Sequence, residues 1–581
     1  MSNSLFRKKN ILSILAEGPD DSHATGLHRV LTVKDLTFFG IAAILGAGSF
    51  SSLGFAVFHG GPGVVVLFII TAIACGFTAL CYSEFASRIP VAGSAYTYAY
   101  ASFGELFAWV IGWALIMEYS IGNIYVAYSW SDYFTSLMEK LHVHIPQYLS
   151  TSYMEAKHAV ENGSSNVEEL AAWNTAPVVG SLRIILDLPA LIINFLITCL
   201  VYRGIKESRN FSNIMVILKM AVVALIILVG GYLVFANGLT ANWTPPDDAG
   251  VKSFMPNGFS GVMAAVASVF FAYIGFDAVS VLAEESKNPQ KDLPKGMILS
   301  LVICTVVYIL LSLVLTGAVN YRNFDGVGDP LAFIFEKQNL NVGWMQMLVA
   351  VCAVIAMTSV LLVFQMGQPR MWMTMSRDGL MPPVFQKIHA KYKTPSFATI
   401  VTGLVVGIPI LFTDKTFVLD FTSIATLFAF VLVCGGVLLI PAKEKLGGRF
   451  HLPYINGQFI FPLIVAVAIF TAWRLSANYF TDMFKLDFSA EPDYISGKKT
   501  FMDLATPNVS LIIFWFCAVL LSIFAFIKKF SLIPLMGVIT CMYLLTGMTK
   551  ANWIWFTGWL VLGVIIYFLY GYRKSKLATA P

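Results

Sequence analysis

The chain has 581 residues, of which 57% are hydrophobic and only 12% charged, against about 25% charged residues in a soluble domain. With a mean hydropathy of +0.74, this composition excludes a water-soluble enzyme or nucleic-acid-binding domain and predicts an all-α polytopic membrane protein. The net charge of +5 carries meaning only once the charges are assigned to sides of a membrane.

The first 33 residues are polar, with Arg7, Lys8, Lys9 and Arg29, and lack the apolar core and cleavage site of a secretory signal. They are expected to be a cytoplasmic tail. The first apolar stretch, 34–58, is long enough to cross about 30 Å of hydrocarbon, yet Gly46-Ala47-Gly48-Ser49 lies in its middle. Glycine is a poor helix former, and unwound backbone at that depth is tolerated only where it lines a cavity or is buried in protein. The alternative is a close helix–helix contact made by small residues. Further spans are predicted at 64–85, after the turn Gly61-Pro62-Gly63, and at 103–134, 184–202 and 212–235. Glu84 and Arg88 have the spacing of a helix ion pair, and the 138–182 loop between spans three and four shows little periodicity.

Span six, 259–283, contains Phe271-Ala272-Tyr273-Ile274-Gly275-Phe276-Asp277, a second interruption five spans after the first. Two broken spans in corresponding halves point to an inverted-repeat transporter with a midplane site. Spans at 296–319, 343–375, 398–412 and 417–440 complete a second five-span unit, and four more follow at 459–479, 511–527, 532–545 and 552–570. The expected organisation is a tail (1–33), a ten-helix core (34–440) and four further helices with a C-terminal tail (441–581). With both tails inside, Lys and Arg fall on the inner side about twice as often as on the outer side. The predicted location is the plasma membrane, or the inner membrane of a bacterium, with both termini cytoplasmic. All eight cysteines lie in apolar segments without ligand-like spacing, so they are read as packing residues. No metal cluster, nucleotide-binding loop or nucleophile–base set is found, and no cofactor, nucleic-acid partner or enzymatic activity is expected.

Four separated blocks resemble the amino acid–polyamine–organocation permeases, in particular their cationic amino acid transporter branch. They are Gly40-Ile41-Ala42-Ala43-Ile44-Leu45-Gly46-Ala47-Gly48-Ser49-Phe50, Tyr82-Ser83-Glu84-Phe85 through Tyr96, Phe270 through Ala278 with Glu284-Glu285-Ser286-Lys287-Asn288-Pro289, and Gly367-Gln368-Pro369-Arg370 through Leu380. The resemblance implies a leucine-transporter-like 5+5 inverted repeat with broken helices 1 and 6, plus four C-terminal helices, about fourteen in all. It implies an amino acid whose carboxylate is held by backbone N–H groups at Ala47 and Gly48, and whose ammonium is held by the carbonyls of Ile44, Phe271 and Ile274. Half-helix N-termini attract anions and half-helix C-termini attract cations, which agrees. Many relatives carry Thr or Ser in place of Ala47, and Ser49 replaces a common Ile, which makes the side-chain end of the site more polar.

Three intramembrane charges are candidates for coupling or gating. Lys219 lies in the fifth span, where a lysine costs on the order of 3 kcal/mol to insert, and too deep for comfortable snorkelling. Some proton-coupled permeases of the family have a fifth-helix lysine where sodium-coupled relatives hold a cation between helices one, five and eight. Glu118 is read as a proton carrier, a counter-charge for a basic substrate, or a hydrogen-bond partner within the bundle, and Asp277 as a gate or proton-sensitive group. Asn123 and Thr358 are further candidates for the side-chain pocket. The expected function is secondary transport of amino acids by alternating access with protons as coupling ion, the alternatives being exchange without protons or a sensor that binds without transport. The bilayer is the only other partner, and the oligomeric state is not encoded in any of these signals.

Overall fold

The computed structural model describes residues 7–9, 31–46, 48–89, 94–161, 167–180, 182–203, 209–246, 250–392, 394–439, 450–475, 478–484 and 501–579. Among these, the only ladder between named strands is a two-residue antiparallel pair, Val178–Val179 with Leu182–Arg183; nearly all the rest is helix and connecting turn. Nine helical segments of the described chain are long and apolar enough to cross a membrane, and Leu188–Arg203, Ser396–Ile410 and Leu532–Leu545 are shorter apolar helices. One of the nine, Gly48–Arg88, joins the second half of span one to span two through the Gly61–Gly63 turn. Span six is absent from that set because it is interrupted, so all fourteen expected spans have a counterpart.

Span one begins at Val33, where the Asp35 carboxylate accepts from the Thr32 N–H (2.9 Å) and hydroxyl (2.6 Å), closing the first turn. Span seven starts at Pro289, seven residues before the expected boundary, because a proline at the first helical position gives up only an N–H that would be orphaned anyway. Span three runs Glu105–Lys140 and span eight Gly343–Arg377, both longer than their apolar cores. At 1.5 Å per residue span three is about 54 Å long and reaches from one face of the protein to the other. A short helix, Ser94–Ser102, precedes it.

At the start of span three the chain's N- and C-terminal regions meet. The Lys9 ammonium pairs with Asp378 (2.8 Å), whose other oxygen accepts from the Tyr96 hydroxyl (2.6 Å). Arg7 lies over the Tyr572 ring, and the buried Glu105 carboxylate accepts from the hydroxyls of Tyr567, Ser575 and Tyr100. This is the clasp side. The 141–187 loop lies at the opposite end of span three and defines the loop side. The 138–182 stretch, read from sequence as having little periodicity, instead holds two nine-residue helices, Tyr153–Glu161 and Val167–Thr175, packed through Ala156, Ala172, Ala176 and, just beyond it, Ile185.

One buried core unites spans one to ten and takes in Val538, Cys541 and Leu544 of span thirteen and Phe556 and Tyr567 of the last span. Phe461, Val465, Phe514, Ala518 and Leu535, from spans eleven to thirteen, form a second, smaller cluster. Apolar side chains such as Phe195, Leu228, Phe459 and Phe516 point outward, as expected of helices whose outer solvent is hydrocarbon. The described cysteines are all free thiols, and six of the eight are buried.

Candidate functional site

Both expected interruptions are present. The first helix of span one ends at Ile44, and the chain resumes as a π-helical turn, Gly48–Ser52, that leads into Leu53–Gly60. In span six the helices Gly258–Ala264 and Val266–Phe271 end in a turn with Gly275 at φ +116°, a backbone conformation that disfavours any side chain, and a 3-10 helix follows from Asp277 to Glu285. The two breaks touch. A Cβ on Gly48 would lie 2.6 Å from the Ala272 Cα, and one on Gly275 would lie 2.9 Å from the Ala43 Cβ. Ser52 ties the halves together, its hydroxyl lying 2.8 Å from the Gly48 carbonyl oxygen and 3.1 Å from that of Ser268.

Between the breaks lies a cavity lined by Ala43, Ile44, Gly48, Val126, Phe271, Ile274, Val360 and Phe364. It has room for about one water molecule. An amino acid is several times larger, so the site must open to admit one. The lining side chains are all apolar, and the polar groups available are backbone ones at the two breaks. On the loop side the cavity is roofed by Phe271, whose ring meets that of Tyr125 edge-on at 4.6 Å.

Of the six residues expected at the site, Ile44, Gly48, Phe271 and Ile274 line this cavity, while Ala47 lies outside the described residues. Ser49 is fully buried but turns away from the cavity: its hydroxyl donates to the Gly46 carbonyl (3.0 Å). A short hydroxyl side chain beside unwound backbone finds a local carbonyl before it finds a ligand. The carbonyls differ in availability. That of Ile44 already accepts from the Gly46 N–H (2.9 Å) and lies 2.8 Å from the Tyr308 hydroxyl, which also lies 2.7 Å from the Ala272 carbonyl oxygen. The Phe271 carbonyl accepts from the Ile274 N–H (3.1 Å) and keeps its second lone pair. Tyr308, on span seven, thus bridges both breaks, and no sequence signal separates it from an ordinary packing tyrosine.

Lys219 is 2% exposed, and its ammonium donates to the Ser359 hydroxyl at 2.6 Å, joining span five to span eight. Glu118 is buried on span three, and its Oε2 has no hydrogen-bond partner among the described residues. Asp277 is also buried, and neither carboxyl group is among the residues that line the cavity. Asn123 and Thr358 do not line the cavity either. Asn123 donates to Gln365, which donates to Thr198 (2.8 Å), and Thr358 accepts from the Trp130 indole (2.9 Å). With Gln368 donating to Ser120, these amides form a buried polar ladder that holds spans three, four and eight together. Among the described residues no group of three or more potential metal ligands converges.

Comparison with known proteins gives a consistent picture. A family model described as amino acid permease matches residues 31–489, and one for the C-terminus of that family matches residues 531–575. The chain is 40% identical to the branched-chain amino acid permease BcaP of Bacillus subtilis over 82% of its own length and 93% of that protein's. It is 38% identical to the methylthioribose transporter of the same organism, over 81% and 91% of the two chains. It is 31% identical to the vacuolar cationic amino acid transporter 2 of Arabidopsis thaliana over 99% of its own length and 94% of the relative's, a match that includes the last four spans.

Proposed function

Because the chain belongs to the amino acid permease family, a family of multi-pass membrane transporters and not of enzymes, we propose that it is a secondary active amino acid transporter that works by alternating access and is driven by protons. The observation that carries the coupling is Lys219, a buried ammonium that links span five to span eight beside the first broken helix. Protonated, it supports the arrangement in which substrate enters; deprotonated, it releases span eight and favours the opposite arrangement. A proton shifts such an equilibrium only through its differential affinity for the two states, and one pKa unit of difference is worth about 1.4 kcal/mol.

In this reading the substrate carboxylate is held at the span-one break by the N–H groups of Gly48 and Ala47. The ammonium sits against the carbonyls of Phe271 and Ile274, and reaches that of Ile44 once Tyr308 yields it. Ala43, Val126, Val360 and Phe364 surround the side chain, which supports small and medium uncharged amino acids over arginine or lysine. The branched-chain permease among the relatives fits that lining better than the cationic transporters do. Residues 34–440 form the transporting core, spans eleven to fourteen brace it, and the clasp side faces the cytoplasm at the plasma membrane, in accord with the inner excess of Lys and Arg.

The test is uptake of radiolabelled alanine, leucine and arginine into proteoliposomes under imposed proton or sodium gradients. Proton-driven accumulation of alanine and leucine is expected, with no effect of sodium. In the Lys219→Ala protein, binding should persist while accumulation loses its dependence on external pH. Sodium-driven accumulation, or unchanged proton-driven accumulation by Lys219→Ala, contradicts the coupling.

A further inference from the structure

The loop-side roof has a part that transport by the two breaks does not require. Above Phe271 and Tyr125 sits Lys415, the first residue of span ten, almost fully buried. Its ammonium lies over the rings of Tyr125 (5.7 Å) and Phe55 (5.9 Å) and pairs with Asp132 of span three. Asp132 in turn packs against Gly328, whose carbonyl accepts from Ser51 of span one at 3.2 Å. The loop helix Tyr153–Glu161 closes over this stack. Its Glu155 accepts from the Lys415 backbone N–H with Oε1 (3.0 Å) and from its own capping residue, Ser152, with Oε2 (3.3 Å). Ser152 returns the contact by accepting from the Glu155 N–H (3.2 Å). One carboxyl group therefore fastens the loop helix to the end of span ten, above the Lys415, Tyr125 and Phe271 stack that leads down to the cavity.

We propose that Glu155 makes the loop helix a proton-sensitive latch over the loop-side entrance: taking up a proton on Glu155 favours the latched arrangement, and losing it favours release.

The sign follows from what surrounds the carboxyl group. Span three presents Asp132 and Tyr128, span ten presents Lys415 with Asp414 just before it, and the segment entering span four presents Asp187. On the loop helix itself, His158 lies 3.7 Å from Asp414. Burial first, and the neighbouring Asp132 charge second, push the Glu155 carboxyl up to about 7, against the pull of Lys415 and its N–H. A released loop helix returns the group to water, where a glutamate titrates at about 4.3. The latched form therefore binds the proton more tightly. Between these two values each unit of acidification shifts the equilibrium toward the latch, by up to about tenfold for one proton. Above about pH 7 both forms are ionised and the bias is gone. If the transport reading above holds, acid on the loop side favours sealing the entrance over a loaded site, a kinetic aid separate from Lys219.

The latch can be read without transport, by hydrogen–deuterium exchange of residues 153–161 in the full-length protein in nanodiscs, corrected for intrinsic exchange. Protection is expected to rise roughly 30-fold from pH 8 to pH 5.5. The Glu155→Gln protein, fixed in the neutral form, should be protected alike at both values, and His158→Gln should keep the wild-type response. A wild-type change below twofold, a pH response that survives in Glu155→Gln, or one lost in His158→Gln overturns the proposal. If Glu155→Gln does not fold, the wild-type and His158→Gln measurements still decide it. Absence of transport would leave this readout untouched.

Discussion

Replacing Tyr308 with phenylalanine removes one oxygen and tests how the site is held before substrate arrives. The hydroxyl lies 2.8 Å from the Ile44 carbonyl oxygen and 2.7 Å from that of Ala272. The ring itself is stacked on Phe68 (5.4 Å) and meets Tyr273 edge-on (5.5 Å), so packing survives the substitution. If an incoming ammonium must take the Ile44 carbonyl from Tyr308, the wild-type protein gives up a neutral hydrogen bond on binding, worth about 0.5–1.5 kcal/mol. Tyr308→Phe makes that sacrifice unnecessary, and affinity should tighten by about 2- to 13-fold. The same change leaves the Ala272 carbonyl short of a partner and should lower the melting temperature of the ligand-free protein. Leucine binding by scintillation proximity, read with thermal unfolding, checks both effects. An unchanged Kd would show that the ammonium does not use Ile44. A Kd weakened more than tenfold in a folded protein would mean that the hydroxyl holds the ligand, and would refute the competition.

Three other substitutions bear on the fold around the site. Gly48→Ala drives a methyl group to 2.6 Å from the Ala272 backbone and should cost on the order of 1–3 kcal/mol, seen as a lowered unfolding midpoint together with weakened amino acid binding; normal stability would show that the two breaks separate freely. Glu118→Gln should alter uptake of alanine and arginine to the same degree, because Glu118 lies outside the cavity lining; a loss confined to arginine would place the carboxylate beside the substrate side chain. Gln365→Leu leaves the Asn123 amide without its acceptor, while the Thr198 hydroxyl keeps its bond to the Asn194 carbonyl, and should destabilise the protein by about 1–3 kcal/mol, measured by thermal unfolding; an Asn123→Leu, Gln365→Leu double replacement should recover part of the loss.

The two breaks were legible because glycine and aspartate are conspicuous inside apolar runs. Gly46, Gly48, Gly275 and Asp277 contradict the composition around them, and the structure places a discontinuity at each cluster. Lys219, Glu118 and Asp277 were legible for a similar reason, since charge is costly in a membrane interior. The partners of those charges were not. That Lys219 meets Ser359, or that Glu118 and Asp277 lie off the cavity lining, depends on helix rotation, which nearly uniform apolar sequences do not record. Tyr308 and Gln365 escaped notice as polar groups whose importance lies only in what stands opposite them, and Asn123, expected at the side-chain pocket, instead meets Gln365. The loop helices were missed because nine residues show barely two turns of periodicity. Only the capping pair Ser152 and Glu155 signalled one of them.

The clasp imposes an order on how the protein is made. Glu105 opens span three fully buried, yet Tyr567 and Ser575, which donate to it, follow 462 and 470 residues later in the chain. At about 5–20 residues per second, the ribosome reaches them on the order of half a minute to a minute and a half after Glu105 has emerged. During that interval a carboxylate waits at the edge of the bilayer with water, lipid headgroups or Tyr100 as its company. Until then Glu105 lacks two of the three hydroxyl donors that surround it in the folded protein. A tag or truncation that disturbs residues 567–575 would be felt at a helix inserted long before, in the yield of folded protein rather than in its affinity for substrate.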